Sequence, residues 1–283
     1  GSGLYGTMEK KLQISYIKET MTMKKKRFFS SILLIMLIII FLASGGYLFH
    51  YFWMAKQTEN ELSQLQQIRQ EAFSDTEEET EVKSETGRSI QKGYRKLYKK
   101  NSDLIGWVTV KNTKIDYPVM QTKKDSEYYL HRNFEKKSDV NGLPFLDAKC
   151  DIDELKGNLM VYGHHMKSGL MFAHLEDFEK ADFYKKHKTI EFDTLYEKRQ
   201  YEVVAVFRSK VYKENEDVFK YYRYVGKLSK KQYETYVKNC KKLSIYKDGA
   251  TPAYGEQLLT LVTCAYHTEN GRFVVVARKK ENV

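Results

Sequence analysis

Residues 257–278, QLLTLVTCAYHTENGRFVVVAR, hold two apolar, β-branched runs, QLLTLVTC (257–264) and RFVVVAR (272–278), joined by a connection that ends in Asn270-Gly271. Runs of this length bounded by a turn-forming pair read as strands. If the two pair as antiparallel neighbours, the end of the first lies beside the start of the second. Cys264 closes the first and Arg272 opens the second, so a thiol and a guanidinium are expected side by side on one rim of a sheet.

Working outward from this pair, six further strand candidates precede it: WVTV (107–110), KIDYPVM (114–120), LPFL (143–146), NLMVYGH (158–164), TIEFDTL (189–195) and QYEVVAVF (200–207). Several alternate with period two, and Asn141-Gly142 and Lys247-Asp248-Gly249 supply turns between them. Eight short strands would leave sheet edges open to pairing, and closure into a β-barrel removes them. NLMVYGH ends on His164, which can therefore reach the same rim, since functional side chains often sit where a rigid strand meets a loop. His165 follows it, but adjacent strand residues face opposite ways, so only one of the two can point into a site. Between the sixth and seventh strands, Ser229 and Gln232 form a capping-box pair ahead of Tyr233, Val237 and Cys240 at helical spacing. Cys240 then faces a core as a small hydrophobe. A second helix is expected through Met171 to Tyr184, and Cys150, in DAKCDIDEL, carries no signal.

The first 87 residues have a different character. No charged residue occurs from Phe28 to Phe49, and Ile32–Ala43 is unbroken apolar sequence. At 1.5 Å per residue these 22 positions cover about 33 Å, enough for a hydrocarbon core of roughly 30 Å. Lys24, Lys25, Lys26 and Arg27 abut the N-terminal end, so the positive-inside rule predicts a cytoplasmic segment (1–27), a transmembrane anchor (28–54) and everything beyond outside the cell. Tyr47, Tyr51, Phe52 and Trp53 suit the membrane interface. The alternative is a secretory signal cleaved near Ala43-Ser44-Gly45, and export follows either way. Residues 1–7 (GSGLYGT) read as the remnant of an expression tag. Residues 55–87 place Leu62, Leu65, Ile68 and Phe73 at roughly helical spacing before the acidic tract DTEEETEVKSE, which reads as a helical stalk running into a solvated linker.

Composition narrows the classes that remain for residues 88–283. Only 3 Pro and 16 Gly in 283 residues exclude a collagen-like or low-complexity chain, and 3 Cys are too few for a disulfide scaffold. The His and Cys residues lack the paired spacing of a zinc site, so no metal is expected, and no glycine-rich phosphate loop follows a strand. Net charge is uneven: residues 1–56 hold 8 Lys/Arg against 2 Glu, residues 57–87 hold 2 against 9 acidic, and residues 88–283 hold 38 against 26. On the expected topology this basic domain suits an anionic cell envelope, not nucleic acid.

TLVTC (260–264) with Arg272 eight positions on, and YGHHM (162–166) upstream, resembles the sortase family of cell-wall cysteine transpeptidases. The helical insertion at 229–243 is similar to the feature that separates class B sortases from class A. GLPFLD (142–147) resembles the strand preceding the histidine segment, with Pro144 an intruder suited to an edge or bulge. Val262 stands where class B members commonly carry a small polar residue, and Ala265 where some carry an acidic one. The resemblance implies an eight-stranded sortase barrel with peripheral helices over residues 88–283, no cofactor, and His164, Cys264 and Arg272 as catalytic residues. It implies that Cys264 attacks a peptide carbonyl in the C-terminal sorting motif of secreted proteins, and that an amine of a peptidoglycan precursor resolves the thioacyl enzyme. Tyr162, Thr263 and His131 are expected to contact substrate, and His267 to be a bystander.

The residue types suit that chemistry: the thiolate is the nucleophile, an imidazolium can protonate the departing amine, and a guanidinium offers fixed donors to an oxyanion. With unperturbed pKa values near 8.5 and 6.5, only about 1% of molecules would hold thiolate and imidazolium together, and a bell-shaped pH dependence is expected. A pilin-polymerising sortase, a noncatalytic wall-binding barrel and a membrane-tethered protease that passes the acyl group to water remain alternatives at this level.

Overall fold

A computed structural model of the chain describes residues 2–75, 80–154 and 156–281. It contains all eight expected strands: β1 (Leu104–Thr109), β2 (Asp116–Met120), β3 (Phe145–Leu146), β4 (Asn158–Tyr162), β5 (Thr189–Thr194), β6 (Gln200–Lys210), β7 (Leu258–Cys264) and β8 (Gly271–Lys279). They close into one barrel in the order β1-β2-β3-β4-β7-β8-β6-β5. β2–β3 and β4–β7 are parallel and every other pairing is antiparallel.

Burial explains why some strands alternate in sequence and others do not. β5 shows alternating half-buried and buried positions, as expected of a strand with one face to water. In β7 every residue before Cys264 is buried, and β8 is buried from Phe273 to Ala277. A 3-10 helix at Phe172–Glu179 contacts β6, β7 and β8 from outside, so both faces of these strands are apolar. That 3-10 helix and α3 (Ala181–Lys186) divide the single helix expected through 171–184. α4 (Lys230–Leu243) packs on β6 and begins with the expected capping box: the Gln232 N–H donates to Ser229 Oγ at 3.3 Å and the Ser229 N–H donates to Gln232 Oε1 at 3.0 Å. Its inner face is Tyr233, Tyr236, Val237 and Cys240, and burial pushes the Cys240 thiol well up. Pro144 stands just ahead of the two-residue β3, where its missing N–H costs no ladder bond and its carbonyl accepts from the Met120 N–H at 3.0 Å.

Helix α1 spans Ser2–Ser74, and contacts divide the chain into two units at Met54/Ala55. In the first unit α1 carries a stretch long and apolar enough to cross a membrane, and the side chains of Ile32–Leu42 are all exposed. In the second unit the part of α1 expected to form a stalk is helical as read, yet it is docked on the barrel. Leu62, Leu65 and Ala72 are buried. The Arg69 guanidinium lies 4.4 Å over the Trp107 ring, and Gln66 Nε2 donates to the Asp116 carbonyl at 2.8 Å. Phe73 meets Tyr94 of α2 (Lys92–Lys100) edge to face. The helical spacing of Leu62 and Leu65 thus serves a packing face. Of the acidic linker tract, residues 76–79 lie outside the described residues.

Candidate active site

Strand direction assembles the site. β4 and β7 run parallel, with Tyr162 paired to Val262, so both end at one rim. β8 runs back from that rim, and Cys264 and Arg272 are direct cross-strand partners. Beyond β4 the chain stays tied to β7: the Gly163 N–H donates to the Val262 carbonyl at 3.0 Å, and Thr263 Oγ1 donates to the Gly163 carbonyl at 2.8 Å. His164, Cys264 and Arg272, far apart in sequence, line one open cavity of about 360 Å³.

The two adjacent histidines separate, although β4 ends at Tyr162 and not, as expected, at His164, so both lie just beyond the strand. His164 faces the cavity, and its Nε2–H donates to the Leu130 carbonyl at 2.8 Å. A carbonyl can only accept, so Nε2 carries the proton and Nδ1 is left as the acceptor. His165 points elsewhere: its Nδ1–H donates to the Cys264 carbonyl at 3.0 Å, its ring packs on Tyr266, and Glu176 lies 3.8 Å away. Burial lowers the pKa of His164, opposed by the Leu130 hydrogen bond and the Asp139 charge, while neighbouring His131 adds to the lowering. The Arg272 guanidinium donates to the carbonyls of Asn270 (3.2 Å) and Gly271 (2.9 Å), which holds the cation at the start of β8.

The remaining candidates fall differently. Tyr162 lines the cavity, and its hydroxyl is directed at Asp147 Oδ2 (3.4 Å) and Met160 Sδ (3.0 Å). Thr263 also borders the cavity, but its buried hydroxyl is committed to Gly163. His131 is exposed and not among the cavity's lining residues; its ring packs on His164 at 5.4 Å between centroids. His267 lies off the cavity, with Nδ1 at 3.4 Å from Arg208. Val262 is a buried wall residue, and Ala265 continues the hairpin by donating its N–H to the Gly271 carbonyl. Tyr221, Tyr222, Glu127 and the Leu130 carbonyl are site features the sequence reading missed. Burial pushes the Tyr221 hydroxyl up, Arg272 opposes this, and Cys264 reinforces it, so this phenol sits within the field of both groups. Its signal was the aromatic run Tyr221-Tyr222, on a connection whose path no periodicity defines.

The family model "Sortase domain" matches residues 108–280. Sortase B of Staphylococcus aureus is 32% identical over 191 residues, covering 67% of this chain and 75% of that protein. Sortase B of Listeria monocytogenes is 33% identical over 183 residues, 64% of this chain and 71% of its own. Among solved structures, sortase B from B. anthracis in complex with AAEK1 superposes with a TM-score of 0.67 at 27% identity, over 82% of this chain and all of that one. A Staphylococcus aureus sortase B–substrate complex gives 0.67 at 29%, over 81% and 99%. The chain belongs to the sortase family. It is a cysteine transpeptidase of the sortase type on the closed eight-stranded barrel of the sortase B structures.

Proposed function

We propose that this chain is a single-pass membrane enzyme, with residues 1–27 in the cytoplasm, 28–54 in the bilayer and the barrel outside, that joins secreted proteins to the cell wall. The Cys264 thiolate attacks the carbonyl of a scissile bond in a C-terminal sorting motif. The C–S bond forms, the C–N bond breaks, and His164 gives the departing amine its proton. An amine of a peptidoglycan precursor then attacks the thioester and loses a proton to His164, forming the new amide and returning the thiolate. Arg272 is placed to stabilise the oxyanion or grip the substrate backbone. The assignment draws its support from one observation: Cys264 and Arg272 are cross-strand partners on the rim where His164 enters the same cavity.

A library of quenched sorting-motif peptides tests this reading. Cleavage by the wild type, lost in Cys264→Ala and reduced in His164→Ala and Arg272→Ala, is the expected result. An added amine should appear in the product. Hydrolysis that no amine diverts would indicate a protease, and cleavage that survives Cys264→Ala would remove the proposed nucleophile.

A further inference from the structure

The carbonyl that accepts the His164 Nε2–H hydrogen bond belongs to Leu130, in the long connection between β2 and β3, and not to the barrel. The connection is held from outside by α1. Thr58, 5% exposed, donates Oγ1 to Asp139 Oδ2 at 2.8 Å. Asn141, 1% exposed, donates Nδ2 to Thr58 Oγ1 and to Asp139 Oδ1, each at 2.9 Å, and its N–H donates to Asp139 Oδ1 at 2.8 Å. Asp139 in turn donates its N–H to the His131 carbonyl at 3.1 Å, and the Leu143 N–H donates to the Tyr129 carbonyl at 2.9 Å. Leu130 thus lies between two backbone bonds that Asp139 and its neighbours fix. One turn along α1, Glu61 accepts from Asn133 Nδ2 (3.0 Å) and the Phe134 N–H (3.2 Å), clamping the same connection.

A buried carboxylate is costly unless its oxygens receive donors, and Thr58 supplies one from a different element. We propose that Thr58 is a positioning residue for transpeptidation: through Asp139 and Asn141 it fixes the β2–β3 connection and the Leu130 carbonyl, so that His164 presents Nδ1 to the cavity. The inference rests on the assignment of His164 as the acid–base group. Burial disfavours the protonated form of His164, the Leu130 bond and the Asp139 charge oppose this, and His131 adds to it; Cys264, Arg272, Glu127 and Asp147 line the same cavity. Loss of the Thr58 hydroxyl should therefore move the His164 titration as well as the rate.

The test uses the full chain in detergent micelles, with Thr58→Val, Thr58→Ser and Asp139→Asn. Peptide cleavage gives kcat and KM, and NMR of labelled histidine, assigned with His164→Gln, follows the imidazole. In Thr58→Val kcat should fall about tenfold with KM within about twofold, the loss of one hydrogen bond to a buried charge. The His164 titration should move to lower pH in Thr58→Val and Asp139→Asn, and Thr58→Ser should restore both readouts. Wild-type kcat and an unmoved titration in Thr58→Val would overturn the inference. So would a lowered melting temperature with the titration unmoved below the transition. If Thr58→Val does not fold, Thr58→Ala, read by the same two measurements, decides. Cys264→Ala is run beside them: cleavage surviving it would defeat the proposed function, while the NMR titration, which needs no turnover, still decides the role of Thr58.

Discussion

Gly142→Ala should slow the enzyme far more than it destabilises it. Gly142 has φ +56°, and a Cβ there would stand 2.3 Å from the Leu130 carbonyl oxygen and 2.6 Å from that of Tyr129. Ordinary contact begins near 3.4 Å, so from 2.3 Å the Leu130 carbonyl must retreat by about 1 Å. The His164 hydrogen bond at 2.8 Å does not survive a displacement of that size unless the ring follows it. A misplacement of about 1 Å in a reacting group can cost up to about a hundredfold in rate. Left-handed strain adds roughly 1–2 kcal/mol of lost stability, a melting temperature lower by several degrees. Gly87→Ala is the control: Gly87 has φ +79° with nothing within 4 Å of its would-be Cβ, so it incurs comparable strain without touching the site. Steady-state peptide cleavage and thermal unfolding of both variants decide the matter. Gly142→Ala is expected to lose about tenfold to a hundredfold in kcat/KM against Gly87→Ala. Equal kcat/KM in the two variants would refute the reasoning that the Leu130 carbonyl orients His164.

The docked helix makes Leu62→Ala and Leu65→Ala core mutations, so each should cost about 2–4 kcal/mol in urea unfolding, whereas a free stalk would show no change. Because burial holds the His164 pKa down, the acid limb of the kcat/KM profile should fall below the usual histidine value of about 6.5. The same shift means the unfolded chain binds this proton more readily, so its contribution to stability is present above pH 6.5 and is lost as pH falls towards the lowered folded value. A charged thiol reagent should label one cysteine in the native protein, Cys264. Cys150 and Cys240 are buried, burial raises both, and Cys150 reaches about 11. Labelling of a second thiol at native conditions would contradict the fold.

The eight strands were legible because each is a short apolar or alternating run, some of them bounded by turn formers, and the shared rim of Cys264, Arg272 and His164 was legible because each sits at or just beyond a strand end. α4 was legible from its capping box and periodicity. What escaped is whatever depends on long-range docking. Leu62 and Leu65 announce a helical face but not that it is buried, nor that neighbouring Arg69 and Gln66 meet Trp107 and Asp116 of the β1–β2 hairpin. The Leu130 carbonyl is a backbone acceptor, invisible to any reading of side-chain types. Tyr221 and Thr58 matter through neighbours that no spacing rule connects to them. His131 was singled out by its segment, and the structure places it against His164 and not among the residues lining the cavity.

In the proposed mechanism Cys264 carries the acyl group between two substrates. Mixing the enzyme with a sorting-motif peptide without amine, quenching in acid and mapping the adduct by intact and peptide mass spectrometry tests it directly. The expected result is an acyl mass on Cys264 that disappears, with transfer to product, when an amine is added. A peptide library that is turned over with no adduct on Cys264, or with the acyl group on another residue, would contradict it.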